Sequence, residues 1–142
     1  MQNNLLLIGG ATRNVGKTTL SKRIIAHFSK EHKIIGLKIK TLRSGDEAFH
    51  GKGRHELTGD FLVSEESYTN PDDTGTLFSA GATRVFHIKT KHDALQEAFS
   101  HFLNRIAHES ALILCESNSL REILEPAVFL LIRHLDTPNQ MK

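Results

Sequence analysis

The sequence predicts an α/β fold in which helices flank a mostly parallel sheet. Short apolar segments of strand length alternate along the chain with segments whose apolar residues recur at helical spacing. That alternation is typical of parallel sheets whose strands are buried on both faces. The length of 142 residues and the ordinary composition, 39% hydrophobic and 24% charged, fit one folded domain over residues 1–142.

The first part of the chain predicts a strand, a glycine-containing loop and a helix, in that order. Residues 5–8 (LLLI) are wholly apolar and are followed by two glycines, as in a short strand buried on both faces. From Lys17 onward a helix is predicted, because apolar residues recur at its spacing: Leu20, Ile24 and Phe28. Residues 33–40 hold three isoleucines and a leucine, which predicts a second strand.

The segment from about residue 41 to 77 is expected to be a long loop or insert. It combines five glycines, a proline and many charges with little periodicity. Such a loop in a compact domain is usually functional or disordered. The end of this segment predicts a short helix with three inward-facing residues, Leu77, Phe78 and Ala80.

The rest of the chain predicts a strand, a helix and two more strands. Residues 83–89 alternate like a strand, and Asp93 is expected to cap the helix that follows. The apolar face of that helix is predicted to comprise Leu95, Ala98, Phe99, Phe102, Leu103 and Ile106. Residues 111–115 (ALILC) and 127–132 (AVFLLI) are both predicted to be buried strands.

The loop between the first strand and the first helix carries the clearest chemical pattern. Residues 9–20 read GGATRNVGKTTL and include the phosphate-binding sequence Gly16-Lys17-Thr18. A phosphate loop needs backbone N–H groups around the phosphate, a lysine on the outer phosphates and a hydroxyl on Mg²⁺. Ala11 stands where the general pattern has a glycine, and the two glycines before it can make the tight turn.

This loop predicts a P-loop NTPase fold that binds a nucleoside triphosphate with Mg²⁺. Lys17 is the expected catalytic charge on the outer phosphates, and Thr18 the expected metal hydroxyl. The predicted nucleotide-binding residues are Ala11, Thr12, Arg13, Asn14, Val15, Gly16, Lys17, Thr18 and Thr19. Arg13 is open to two interpretations, a phosphate-binding residue or an exposed loop residue.

A second acidic element is expected, because Mg²⁺ favours carboxylate ligands near phosphates. Glu116 ends an apolar strand, so its carboxylate is predicted to hold Mg²⁺ or orient water; the alternative is a solvent-exposed strand-end glutamate. Asn118 and Ser119 follow it and are open to two interpretations, as hydrogen-bond partners of phosphate or water or as simple turn residues. Cys115 is predicted to be a small buried apolar residue.

Four segments in order resemble the molybdopterin-guanine dinucleotide biosynthesis protein B family. They are LLLIGGATRNVGKTTL, IIGLKIKT, DTGTLFSAGATRVF and ALILCESNSLREILEPAVFLLIR, and together they span most of the chain. Members of this family are small P-loop proteins of molybdenum cofactor maturation. The resemblance implies GTP or ATP binding, slow hydrolysis, a homodimer and an association with molybdenum cofactor enzymes.

The resemblance also implies roles for particular residues. Lys17 and Thr18 match the phosphate lysine and the Mg²⁺ hydroxyl, and Asp73 matches an aspartate near the metal and phosphates. Glu116 matches the acid of the family's Val-Glu-Gly element, so it is implied to be both catalytic and metal-linked. The chain departs from the family pattern at Ser117, where that element has glycine, and at residues 38–41, which lack the family's histidine.

Two other functions remain open at this stage. The loop also resembles that of dethiobiotin synthetase, which implies an ATP-dependent kinase or ligase that uses residues 41–77 as a substrate lid. A non-catalytic nucleotide-binding module that acts through a partner is the third hypothesis.

The composition argues against several classes of partner. A net charge of +2 gives no case for nucleic-acid binding, and no apolar stretch has the length of a membrane span. The first residues lack the layout of a secretory signal, and there is one cysteine. A cytoplasmic protein without membrane or nucleic-acid partners is therefore expected.

Overall fold

The computed structural model describes residues 2–10, 16–42, 59–66 and 73–133. Within these ranges six strands form one sheet: β1 (Gln2–Gly10), β2 (Ile34–Leu42), β3 (Phe61–Glu65), β4 (Arg84–Lys91), β5 (Leu112–Glu116) and β6 (Pro126–Ile132). The described helices are α1 (Lys17–Phe28), α2 (Asp73–Ala80) and α3 (Leu95–Arg105). Short 3₁₀ turns occupy His92–Ala94 and Leu120–Glu122.

The strands lie in the order β3-β4-β2-β5-β1-β6. Every pair is parallel except β3 with β4, which is antiparallel. The predicted α/β fold with a mostly parallel sheet and flanking helices is therefore confirmed. From β1 the chain first winds toward the β3 edge of the sheet. From β5, which lies next to β1, it crosses to β6 at the other edge, so the direction of winding reverses beside β5. In such sheets, ligands bind at the carboxyl ends of the strands next to this reversal.

Helices cover both faces of the sheet, as a right-handed fold with reversed winding requires. On one face, α1 and α2 pack through Ile25 and Leu77 onto β-strand residues that include Ile8 and Leu114. On the other face, α3 buries Leu95, Ala98, Phe99 and Phe102 against Leu7, Leu37, Phe86 and Cys115. Burying one such side chain stabilises the fold by about 1.5–3 kcal/mol relative to exposure.

Most predicted elements are present, and the apolar face of α3 is confirmed, with Leu103 only partly buried. Residues 41–77, expected to be a loop or insert, contain the edge strand β3 and the start of α2. Most of the remaining positions in that segment lie outside the described residues.

Two predictions about local structure are wrong. Asp93 does not cap the helix: it lies inside the 3₁₀ turn, and Ala94 takes the cap position without a side-chain hydrogen bond. Residues 127–132 do form a strand, but β6 lies at the edge of the sheet and is not buried. Val128, Phe129 and Leu131 are 45%, 40% and 46% exposed. Apolar composition gave the strand but not its position in the sheet.

Candidate functional site

The carboxyl ends of β1 and β5 lie side by side and hold the candidate site. Ile8 of β1 is the register partner of Glu116 of β5. The chain enters α1 through Gly16, whose φ of 100° is left-handed, and the Leu20 N–H donates to the Gly16 carbonyl. Glycine adopts this conformation without the strain of a Cβ atom. Lys17 and Thr18 therefore stand in the first turn of α1 at this edge of the sheet.

Thr18 and Glu116 are in direct contact. The Thr18 hydroxyl donates a hydrogen bond of 3.2 Å to Glu116 Oε1. The Glu116 side chain is only 3% exposed, which rules out a solvent-exposed strand-end glutamate. Its second oxygen, Oε2, is buried and has no hydrogen-bond partner among the described residues. Buried polar atoms without a partner are rare and costly, so this oxygen is a candidate ligand for a cation.

Asn118 connects the two strands of the site to Lys17. Its Oδ1 accepts hydrogen bonds from the Gly10 N–H at 2.9 Å and from Lys17 Nζ at 3.3 Å. These contacts, which hold Lys17 beside the ends of β1 and β5, differ from both interpretations of Asn118, as a partner of phosphate or water and as a simple turn residue. Ser119 lies in the turn that follows, where its N–H donates to Ser117 Oγ at 3.1 Å.

Partial burial lowers the pKa of Lys17, and the neighbouring Lys38 lowers it further. The carboxylate of Glu116 opposes this effect and raises the Lys17 pKa, but burial is the larger cause. A lysine pKa falls when the protonated amine is stabilised less by the surrounding protein than by water, and negative charge nearby would restore that stabilisation. An anion such as phosphate beside Lys17 would supply that charge.

Lys38 is the site residue that the sequence analysis did not identify. It is the register partner of Glu116, and its Nζ lies 3.9 Å from Glu116 Oε1. The row continues across the sheet on the α1 face, since Lys38 pairs with His87 and His87 pairs with Ser64. The signal in the sequence was a lysine between a leucine and an isoleucine in a predicted strand, and it does not distinguish a site residue from a solvated one.

The other predicted site residues fall into two groups. Ala11, Thr12, Arg13, Asn14 and Val15 lie outside the described residues. Thr19 is exposed on the first turn of α1, and the backbone of Asp73 begins α2, while the Asp73 side chain lies outside the described part. The structure therefore brings together Lys17, Thr18 and Glu116 out of the predicted set.

Two cavities lie away from this site, at the amino ends of the strands. One of about 900 Å³ is lined by Asn4, Glu31, His32, Lys33, His108, Glu109, Ser110, Ala111 and Leu112. The other, of about 240 Å³, is mainly apolar and lies between the end of α1 and the start of β6. We place the candidate site at the opposite edge, because parallel sheets bind ligands at their carboxyl ends.

Among the described residues there is no group of three or more His, Cys, Asp or Glu side chains that could hold a metal ion by themselves. In the same part of the chain, no helix is both long and apolar enough to cross a membrane. No protein family, curated protein or solved structure matched the chain in the comparisons with known proteins.

Proposed function

We propose that the chain has a P-loop NTPase fold and binds a nucleoside triphosphate, GTP or ATP, with Mg²⁺ at the carboxyl edge of β1 and β5. The observation that carries the proposal is the contact between Thr18 and Glu116 beside Lys17. A hydroxyl, a buried carboxylate and a cationic amine in this arrangement are the groups that a metal-bound phosphate requires.

The start of α1 supports phosphate binding. The first N–H groups of a helix have no intrahelical partner, and Gly16 has no side chain with which to cap them. These donors and the positive end of the helix dipole favour an anion at this position. Lys17, in the first turn, would add a full positive charge to the outer phosphates.

The donor set at Thr18 and Glu116 fits Mg²⁺. The ion is usually held by one or two carboxylates together with substrate phosphates and water. Thr18 Oγ1 and Glu116 Oε2 would hold it, and within the described part of the chain the second of these atoms has no hydrogen-bond partner. Asp73, implied by the family resemblance, is the third proposed ligand. The bound ion would neutralise charge on the phosphate oxygens.

We propose slow hydrolysis with water as the nucleophile. Lys17 counters the charge on the transferred phosphoryl group, and Glu116 orients the water. The family resemblance supports a role as a cytoplasmic accessory protein in molybdenum cofactor biosynthesis. The homodimer that it implies is supported by the edge strand β6, which exposes Val128, Phe129 and Leu131.

An ATP-dependent kinase or ligase of the dethiobiotin synthetase type is the second candidate. The observation that favours it is the polar row beyond Glu116, which comprises Lys38, His87 and Ser64. A simple hydrolase has no need of such a row, whereas a second substrate would use it. A non-catalytic nucleotide-binding module is the third candidate.

Calorimetric titration with ATP and GTP, with and without Mg²⁺, tests the proposal. We expect Mg²⁺-dependent binding that Lys17→Ala abolishes and Lys22→Ala, an exposed lysine on the same helix, leaves unchanged. Phosphate release measured on the same proteins separates slow hydrolysis from binding alone. Absence of binding to both nucleotides, or equal binding by Lys17→Ala, would contradict the proposal.

A further inference from the structure

Four side chains of β2 and β4 form a rectangle on one face of the sheet. Lys38 pairs in register with His87, and Lys40 pairs with Lys89. Residues two apart on a strand share a face, and neighbouring strands lie about 4.8 Å apart. The four side chains therefore occupy an area of roughly 5 by 7 Å on the α1 face. We call Lys38, Lys40, His87 and Lys89 the basic block.

The block contains two like charges at directly opposite positions of neighbouring strands. Like charges directly opposite each other on neighbouring strands destabilise a sheet. Lys40 and Lys89 are such a pair. Within the described part of the chain, neither has a carboxylate within 4.0 Å, whereas Lys38 faces Glu116 and His87 faces Glu66. An uncompensated pair of this kind is expected at functional positions rather than at structural ones.

The block is accessible and lies beside the proposed nucleotide. Lys40 is exposed, and the side chains of Lys38 and His87 are 21% and 27% exposed. Lys38 is also the neighbour of Glu116, so the block starts one strand away from the proposed metal ligand. The far side of the block is about 10 Å from the Glu116 strand, as judged from strand spacing.

The lysines of the block act on the His87 side chain. Burial lowers the pKa of His87, and Lys89, Lys38 and Lys40 lower it further, while Glu66 opposes them. This direction agrees with the register, which places the three lysines on the same face of the sheet as the His87 ring.

We propose that the basic block binds the phosphate group of a second, phosphate-monoester substrate next to the nucleotide. The role as a second-substrate site rests on the proposed nucleotide site, whereas the arrangement of the block comes from the strand register alone. Lysine ammonium groups are strong point-charge partners for phosphate. Ser64 shares the row with His87 and lies at the edge of the block, where its hydroxyl donates to the His87 carbonyl at 3.4 Å.

Titration with inorganic phosphate tests the inference. The protein is first saturated with Mg²⁺ and a non-hydrolysable analogue of the preferred nucleotide, so that the phosphate loop cannot bind the probe. We expect saturable binding of phosphate whose Kd rises at least tenfold in the double variant K40Q/K89Q. The matched control is K22Q/K30Q, which removes two exposed lysines from α1 and the turn after it. We expect less than a twofold change there.

Several outcomes would overturn the inference. One is the absence of saturable phosphate binding to the loaded protein, and another is an equal effect of the two double variants. Equal affinity for succinate would show that the block binds any small dianion and not phosphate specifically. Failure of the nucleotide proposal is recognised separately, because the analogue then does not bind. Phosphate titration of the Lys17→Ala protein without nucleotide tests the block in that case.

Discussion

The hydroxyl of Thr18 and the carboxylate of Glu116 are 98 residues apart in the chain and 3.2 Å apart in the structure. Their hydrogen bond joins the first turn of α1 to the end of β5. The two side chains are therefore held together before any ligand binds. A preorganised pair of this kind loses little conformational freedom when a metal ion is bound.

Glu116→Gln removes the charge and keeps the shape of the side chain. We expect the affinity for the nucleotide with Mg²⁺ to fall at least tenfold, about 1.4 kcal/mol, because a carboxylate oxygen is lost as a metal ligand. Affinity without Mg²⁺ is expected to stay the same or rise, since a negative charge near the phosphates has gone. Calorimetry with and without Mg²⁺ measures both, and Glu125→Gln, an exposed glutamate, is the control. Equal losses under the two conditions would exclude Glu116 as a metal ligand.

Asn118 controls the availability of Lys17. In Asn118→Asp, the hydrogen bond from Lys17 Nζ becomes an ion pair, which competes with phosphate for the same amine. We expect the nucleotide Kd to rise at least tenfold. Asn118→Ala loses both hydrogen bonds that Oδ1 accepts, from the Gly10 N–H and from Lys17 Nζ, but it adds no anion that competes for the amine. It should therefore raise the Kd only about threefold. The order of the two effects is the result to check, and a stronger effect of alanine would show that Asn118 itself contacts the nucleotide.

Two glycines with positive φ separate the effects of substitution on stability and binding. Gly16 has φ of 100° with nothing within 4 Å of an added Cβ atom, so Gly16→Ala is expected to cost about 1–2 kcal/mol of backbone strain. In Gly81→Ala, the Cβ atom would also lie 2.5 Å from Ser29 Oγ, and the loss of stability should be larger. Denaturant unfolding measures both losses. Nucleotide binding is expected to weaken in Gly16→Ala and to stay unchanged in Gly81→Ala. A loss of affinity in Gly81→Ala without one in Gly16→Ala would refute the assignment of the site.

The pKa of His87 gives the fold a dependence on pH. Burial and three lysines lower this pKa below 6.5, so the unfolded chain binds more protons than the folded chain just below pH 6.5. The free energy of unfolding is therefore expected to fall as the pH decreases from 6.5 toward the lowered folded value. In K40Q/K89Q, the His87 pKa should move back toward 6.5 and the fall should be smaller. Unfolding measured at about pH 7.5 and about pH 5.5 tests this. An unchanged fall in K40Q/K89Q, with K22Q/K30Q as the control, would show that the block does not act on His87.

The sequence predicted the elements whose signal is local. The apolar run at residues 5–8 and the helical spacing from Leu95 to Ile106 both predict structure without knowledge of their neighbours. Strand β3 was not predicted, because its stability depends on antiparallel pairing with β4, about 20 residues further along the chain. The exposure of β6 likewise depends on its place in the strand order and not on its own composition.

The site was predictable to the extent that it depends on a motif. Lys17 and Thr18 follow from the loop sequence, and Glu116 follows from its place after an apolar strand. Lys38 and His87 acquire their relationship to Glu116 only through strand register, which residues in separate segments do not reveal.

The position of β1 has a consequence for how the protein is made. β1 is the first of the described strands, and among them it pairs only with the last two, β5 and β6. The proposed phosphate-loop segment is therefore synthesised long before the hydrogen-bonding partners of β1 exist. Lys17 acquires its fixed position only after β5 and β6 have been made, so nascent chains that end before β6 should not bind nucleotide, because non-local pairing must be completed first.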